Sequence, residues 1–92
     1  MNQIRVTKII PMGGLKLNIV FSDGLTGNLD FSNFLTGQVF SLLKELSRFS
    51  TASVQYGTIV WEGDIDMAPE YIYTKMLEQG SGLNRLTEAK RQ

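Results

Sequence analysis

The sequence contains no cysteine and no histidine. Without cysteine there is no disulfide, no thiolate nucleophile and no cysteine-ligated metal. Without histidine the side chain best suited to moving protons near neutral pH is missing. The Ser-His and Cys-His arrangements of nucleophilic catalysis go with it. An enzyme built on this chain would depend on perturbed carboxylates, lysines or a bound metal, so a non-catalytic protein with no cofactor is expected. Net charge is absent too, because nine Lys+Arg balance nine Asp+Glu. No global field then draws the chain toward nucleic acid or an anionic membrane. No apolar run has the length of a signal-peptide core or a membrane span, which predicts a cytoplasmic protein without a membrane partner. Walker and dinucleotide fingerprints are also missing, so Gly13-Gly14 and Gly80-Ser81-Gly82 read as turns rather than phosphate loops.

What is present fits one small domain. The chain has 92 residues, of which 42% are apolar, enough for a single core. The expected fold is α+β. It has an antiparallel meander sheet of about five strands, two or three short helices, and a C-terminal helix packed on the sheet. The division is a domain over residues 1–79 and a polar tail or short extra helix over 80–92. Strand one is expected over Gln3–Ile10, with a bulge or strand end where the alternation breaks at Ile9 and Ile10, and "PMGG" (Pro11–Gly14) is its turn. Leu15, Leu17, Ile19 and Phe21 form a period-2 stripe. "SDG" (Ser22–Gly24) is a tight turn in which Asp23 and Gly24 are the structural residues. Leu25–Phe31 returns as strand three, with Leu29 and Phe31 inward.

Asp30 is read as ending that strand and capping a helical turn, "FSNFL", and Gly37 as a left-handed helix end. Val39, Leu42, Leu43 and Leu46 fall at i, i+3, i+4 and i+7 and predict one amphipathic helix with that face inward. A second hairpin follows, Ser50–Gln55 with Thr58–Glu62. Trp61 ends its second strand and is expected in the core. Glu62, Asp64, Asp66 and Glu70 crowd the next segment. They do not follow the calcium-loop pattern. The expectation is structural: Asp64 and Asp66 satisfy turn and helix-start amides, Pro69 opens the C-terminal helix, and Glu70 complements its dipole. Ile72, Tyr73, Met76 and Leu77 give that helix its apolar face, and the helix is expected to stop near Gln79-Gly80.

Four stretches carry a family resemblance: "FSDG" (Phe21–Gly24), "GNLDFSNFL" (Gly27–Leu35), "VFSLL" (Val39–Leu43) and "GTIVWEGDIDMAPEYIY" (Gly57–Tyr73). Together they resemble the small bacterial domains of unknown function numbered DUF 2442. Gly57, Trp61, Gly63, Asp64, Asp66, Pro69, Glu70 and Tyr73 carry most of the pattern. Phe31 departs from it, standing where leucine is usual. The resemblance implies an α+β fold with an antiparallel sheet and no established activity. It further implies membership of a bacterial two-gene module and an antitoxin-like role beside a small toxin-like partner.

The reading is therefore a protein-binding module. Its expected contact runs from Tyr71 and Lys75 on the C-terminal helix into Leu83 and Leu86 of the tail. Two alternatives stand beside it. A nucleic-acid-binding accessory domain would use Arg5, Lys8, Lys16 and the tail cations Arg85, Lys90 and Arg91. A small-ligand or metal-assisted enzyme would use the acidic cluster.

Overall fold

The computed structural model describes residues 3–80. Strands β1 (Val6–Gly13), β2 (Lys16–Phe21) and β3 (Thr26–Asp30) form an antiparallel meander in the order β1-β2-β3. A helical segment follows: α1 (Gly37–Phe40), a 3-10 turn (Ser41–Lys44) and α2 (Leu46–Phe49). Strands β4 (Ser53–Gln55), β5 (Thr58–Trp61) and β6 (Ile65–Met67) make a second antiparallel meander, and α3 (Pro69–Gln79) closes the described chain.

The fold is α+β as expected, but it holds two three-stranded sheets rather than one meander of about five strands. The helical segment after β3 separates the hairpins, and the sheets meet at one place only among the described backbone bonds. There the Val6 amide donates to Gly57 at 2.8 Å while the Ser22 amide donates to Arg5 at 2.8 Å. Arg5 and Val6 thus bond to both sheets. The sixth strand lies in the acidic segment read as a turn followed directly by a helix start. Ile65 and Met67 alternate around Asp66 and pair with Trp61 and Ile59, so both apolar side chains share the buried face of β5.

Strand β1 starts later and runs further than the sequence predicts. Its alternation breaks at a register shift between Val6 and Lys8, and a second shift follows Pro11. The Thr7 bulge exchanges the faces, which is why Val6 is buried on an even number and Ile9 packs inward on an odd one. Pro11 and Met12 are strand residues, not turn residues. Proline is tolerated there because β1 is an edge strand at that end.

The single amphipathic helix expected over Val39–Leu46 is not formed. The chain turns tightly three times, broken at Glu45 by an extended ψ of 121°. Gly37 is left-handed, at φ +84, but it opens α1 rather than ending a helix. Neither α1 nor α2 has a side-chain cap, and four-residue helices without caps are held by packing alone. Leu43 and Phe49 are the buried anchors of this segment.

One core joins all the elements. Leu17, Ile19 and Phe21 of β2, Leu29 of β3, Ile59 and Trp61 of β5, and Ile72 and Met76 of α3 belong to the same buried cluster. Phe31 sits among three aromatic rings, with centroids 5.1 Å from Phe34, 5.2 Å from Phe49 and 6.1 Å from Trp61.

The β4–β5 turn carries an unusual residue. Tyr56 has φ +54 and Gly57 φ +78, the two positive values of a two-residue hairpin turn. Gly57 suits its positive φ, and a Cβ there would also crowd the Arg5 side chain, 3.2 Å from its Nε. Tyr56 is 92% exposed, so nothing in its packing offsets a left-handed backbone that asparagine adopts more readily. Tyr56→Asn is expected to raise stability by about 0.5–1 kcal/mol. A urea midpoint equal to or below wild type would contradict this.

Candidate interaction surface

The residues singled out in the sequence do not converge on one site. Trp61 is 1% exposed and lies in the core, stacked at 5.9 Å from Phe49. Its Nε1 is buried without a partner among the described residues. Asp64 sits at the β5–β6 turn with φ +59, a conformation that Asp tolerates better than most residues. Asp66 is an exposed strand residue opposite Val60. The expectation that Asp66 caps α3 is wrong: the N-cap is Ala68, with no side-chain cap bond. The register explains this, because β6 continues through Met67 and leaves Ala68 as the only linker. Asp66→Ala is accordingly expected to change stability by less than about 0.5 kcal/mol, the range for a surface substitution. A loss of cap size, about 1 kcal/mol or more, would restore the capping role. Pro69 does open α3 and Glu70 does lie in its first turn. Among the described residues no cluster of three or more acids is placed to hold a metal ion.

Asp23 and Asp30 belong to the fastening of α3, while Gly24, at φ +97, makes the β2–β3 turn. Asp23 Oδ1 accepts from the Leu25 amide at 3.0 Å, closing the β2–β3 turn, and its Oδ2 accepts from the Tyr73 hydroxyl at 2.5 Å. Tyr73 also meets Phe21 edge-on at 4.9 Å. At the other end of the helix, the Gln79 side chain donates to the Asp30 carbonyl at 2.7 Å and accepts from its amide at 3.1 Å. Gln79 thereby completes the edge of β3 as a neighbouring strand would. Asp30 accepts from the amide and hydroxyl of Ser32, at 2.9 Å and 2.7 Å. It closes a local turn rather than capping a helix, since the "FSNFL" stretch forms none. Sequence reading found Asp23 and Asp30 but missed Gln79, whose partner is 49 residues away.

These bonds set the protonation behaviour. The Tyr73 hydrogen bond, then that of the Leu25 amide, holds the Asp23 carboxyl below the usual value. The same bond to Asp23, with burial, raises the Tyr73 phenol. The Ser32 amide and hydroxyl likewise lower Asp30. A lowered carboxylate stabilises the fold above the unfolded value of about 3.9, and a raised phenol does so below about 10. The Asp23–Tyr73 bond therefore contributes across the neutral range and is lost as pH falls through the folded Asp23 value. Tyr73→Phe is expected to be less stable than wild type at neutral pH, with the two urea midpoints converging in acid. A gap independent of pH would show that the bond carries no linkage.

The expected partner face on α3 holds two exposed apolar side chains, Tyr71 and Leu77; Leu77, expected on the apolar face of the helix, is 46% exposed. Tyr71 is 40% exposed and packs edge-on against Phe34 at 5.8 Å. The Lys75 ammonium lies 5.5 Å from the Phe34 ring, 5.2 Å from the Tyr71 ring, and 3.2 Å from Glu78. Glu78 raises the Lys75 pKa. Leu83 and Leu86 lie outside the described residues.

Three further exposed apolar side chains lie on the helical segment. Val39, Leu42 and Leu46, read as inward, are 54%, 47% and 56% exposed. Leu43 and Phe49 of the same segment are buried. Ile10 and Met12 of β1 are also exposed. Between the β1–β2 turn and α2 lies a cleft of about 190 Å³ bordered by Pro11, Leu17, Leu46, Phe49 and Ala52.

The family model described as "Protein of unknown function (DUF2442)" matches residues 6–77. The chain belongs to this family. The DUF2442 match spans both sheets and nearly all of α3, so Trp61, Asp23 and the helical segment all fall within it. No curated protein and no solved structure matches the chain. No helix among the described residues is long and apolar enough to cross a membrane.

Proposed function

We propose that this DUF2442 domain is a non-catalytic protein-binding module of the bacterial cytoplasm, one half of a two-gene system, with an antitoxin-like inhibitor as its most concrete form. The observation that carries the reading is the exposure of Val39, Leu42 and Leu46 within one short helical segment, the last of which also borders the apolar cleft. Large apolar side chains gathered beside a cleft are what a protein interface needs at its centre. The segment is preferred to α3 as the contact because the α3 cation is already engaged with two rings and Glu78. The absence of histidine and cysteine from the sequence is consistent with a binding role.

The test is retrieval from the native bacterium with tagged full-length chain, in wild-type, Leu42→Glu/Leu46→Glu and Tyr71→Ala forms. Both leucines are exposed, so the charged pair is expected to fold like wild type. One protein should be retained at near-equal amount by wild type and Tyr71→Ala and lost from the double variant. Retention of a nucleic acid instead of a protein would overturn the reading. Loss with Tyr71→Ala alone would move the contact to α3.

A further inference from the structure

The first sheet has two outer strands, β1 and β3, and their edges are built differently. The β1 edge carries Lys8 and Pro11, bracketed by its two register shifts. A lysine, a proline and bulges are the usual means of keeping another chain from adding to a sheet. β3 has none of them. Its register with β2 runs unbroken from Thr26 to Asp30, and its sequence holds neither lysine nor proline. Its one charge, Asp30, is held in its own turn by Ser32.

The hydrogen bonds at the end of β3 fix which residues face outward along the edge. The Phe31 amide donates to Leu15 at 2.8 Å, across to the neighbouring segment. The Asp30 amide and carbonyl both bond to the Gln79 side chain instead. Antiparallel ladders alternate between bonded and non-bonded pairs, so Thr26, Asn28 and Asp30 direct their amides and carbonyls away from β2. Thr26 and Asn28 are exposed. A neighbouring strand would run about 4.8 Å from β3, and at Asp30 that space is taken by the Gln79 carboxamide.

We propose that Gln79 guards this edge: it fills the last bonding position of β3 and so keeps the strand from pairing with β3 of a second copy. The inference does not rest on the protein-binding reading above. A second copy is the chain kept out because the edge complements itself. In the two-fold register that uses the whole strand, Asn28 faces Asn28, and Thr26 faces Asp30 at both ends. Each end pair contains an Asp30, so one Gln79 per chain blocks two of the three bonding pairs. Glutamine suits the task because its carboxamide carries a donor and an acceptor side by side, as a peptide unit of the missing strand would.

The experiment compares the full-length chain with Gln79→Ala by sedimentation equilibrium over micromolar to millimolar concentration. Wild type is expected to stay monomeric. The variant is expected to dimerise at least about tenfold more tightly, with the amides of Thr26, Asn28 and Asp30 gaining protection from hydrogen exchange in the dimer. Asn28→Lys added to Gln79→Ala sets like charges directly opposite each other in the two-fold pair and should restore the monomer. Gln79 is exposed, and an unchanged thermal midpoint checks that its variants fold. Gln79→Ser, polar but too short to reach Asp30, is measured beside alanine and should dimerise as well. Folded Gln79 variants that stay monomeric would overturn the proposal and leave Gln79 as a fastening of α3 alone. So would a wild-type chain already paired through Thr26–Asp30, association without protection of those amides, or association that survives Asn28→Lys.

Discussion

Trp61→Ala is expected to cost about 3–5 kcal/mol, the range for truncating a large buried aromatic. A domain of this length has only about 5–14 kcal/mol to lose. Trp61 is 1% exposed, its ring meets Phe31 at 6.1 Å and Phe49 at 5.9 Å, and its strand pairs it with Ile65 on the same face. Its removal therefore opens a cavity where the second sheet, the end of β3 and α2 converge. Trp61→Phe should cost much less, because the indole Nε1 that it deletes has no partner among the described residues. An unmade buried bond costs about 1–3 kcal/mol, which offsets part of the lost packing. Urea unfolding of both variants checks this. A Trp61→Phe loss as large as the alanine loss would mean that the indole nitrogen has a partner after all.

The second large effect is expected at Phe31. Three aromatic neighbours within 5.1 to 6.1 Å make it the centre of the aromatic cluster, and its exposure is zero. Phe31→Ala should also cost about 3–5 kcal/mol, and Phe31→Leu about 1 kcal/mol or somewhat more, since leucine fills most of the volume but loses the edge-to-face contacts. Phe31 and Trp61 touch, so their effects should not add. A double-mutant cycle is expected to show a coupling of about 0.5–1.5 kcal/mol. Strict additivity would mean that the two rings pack independently.

The first sheet was legible because it is local. Leu17, Ile19 and Phe21 alternate without a break, and the Asp23-Gly24 turn joins neighbouring strands. Trp61 and Pro69 were also placed by local signals, a strand end and a helix start. The second sheet was half-read. Ile65 and Met67 alternate around Asp66, but three residues between the Gly63-Asp64 turn and Pro69 are too short to announce a strand, and the missing evidence was their pairing with Trp61 and Ile59. The helical segment was misread for a different reason. Val39, Leu42, Leu43 and Leu46 satisfy helical periodicity, yet periodicity does not say which apolar side faces the core when Phe40 and Phe49 supply a second one. Both the exposed side chains and the cleft follow from that choice, which is made by packing against sheets far away in sequence. Gln79 was invisible for the same reason.

The central claim is that the exposed apolar side chains of the helical segment contact a protein. It is tested most directly by placing a photo-reactive phenylalanine analogue at Leu42 and, separately, at Tyr71 and Asp66, and irradiating cells that naturally produce the protein. The account predicts one discrete protein adduct from position 42, a weak one or none from position 71, and none from position 66. An adduct from position 71 with none from position 42, or cross-linking to nucleic acid alone, would contradict it.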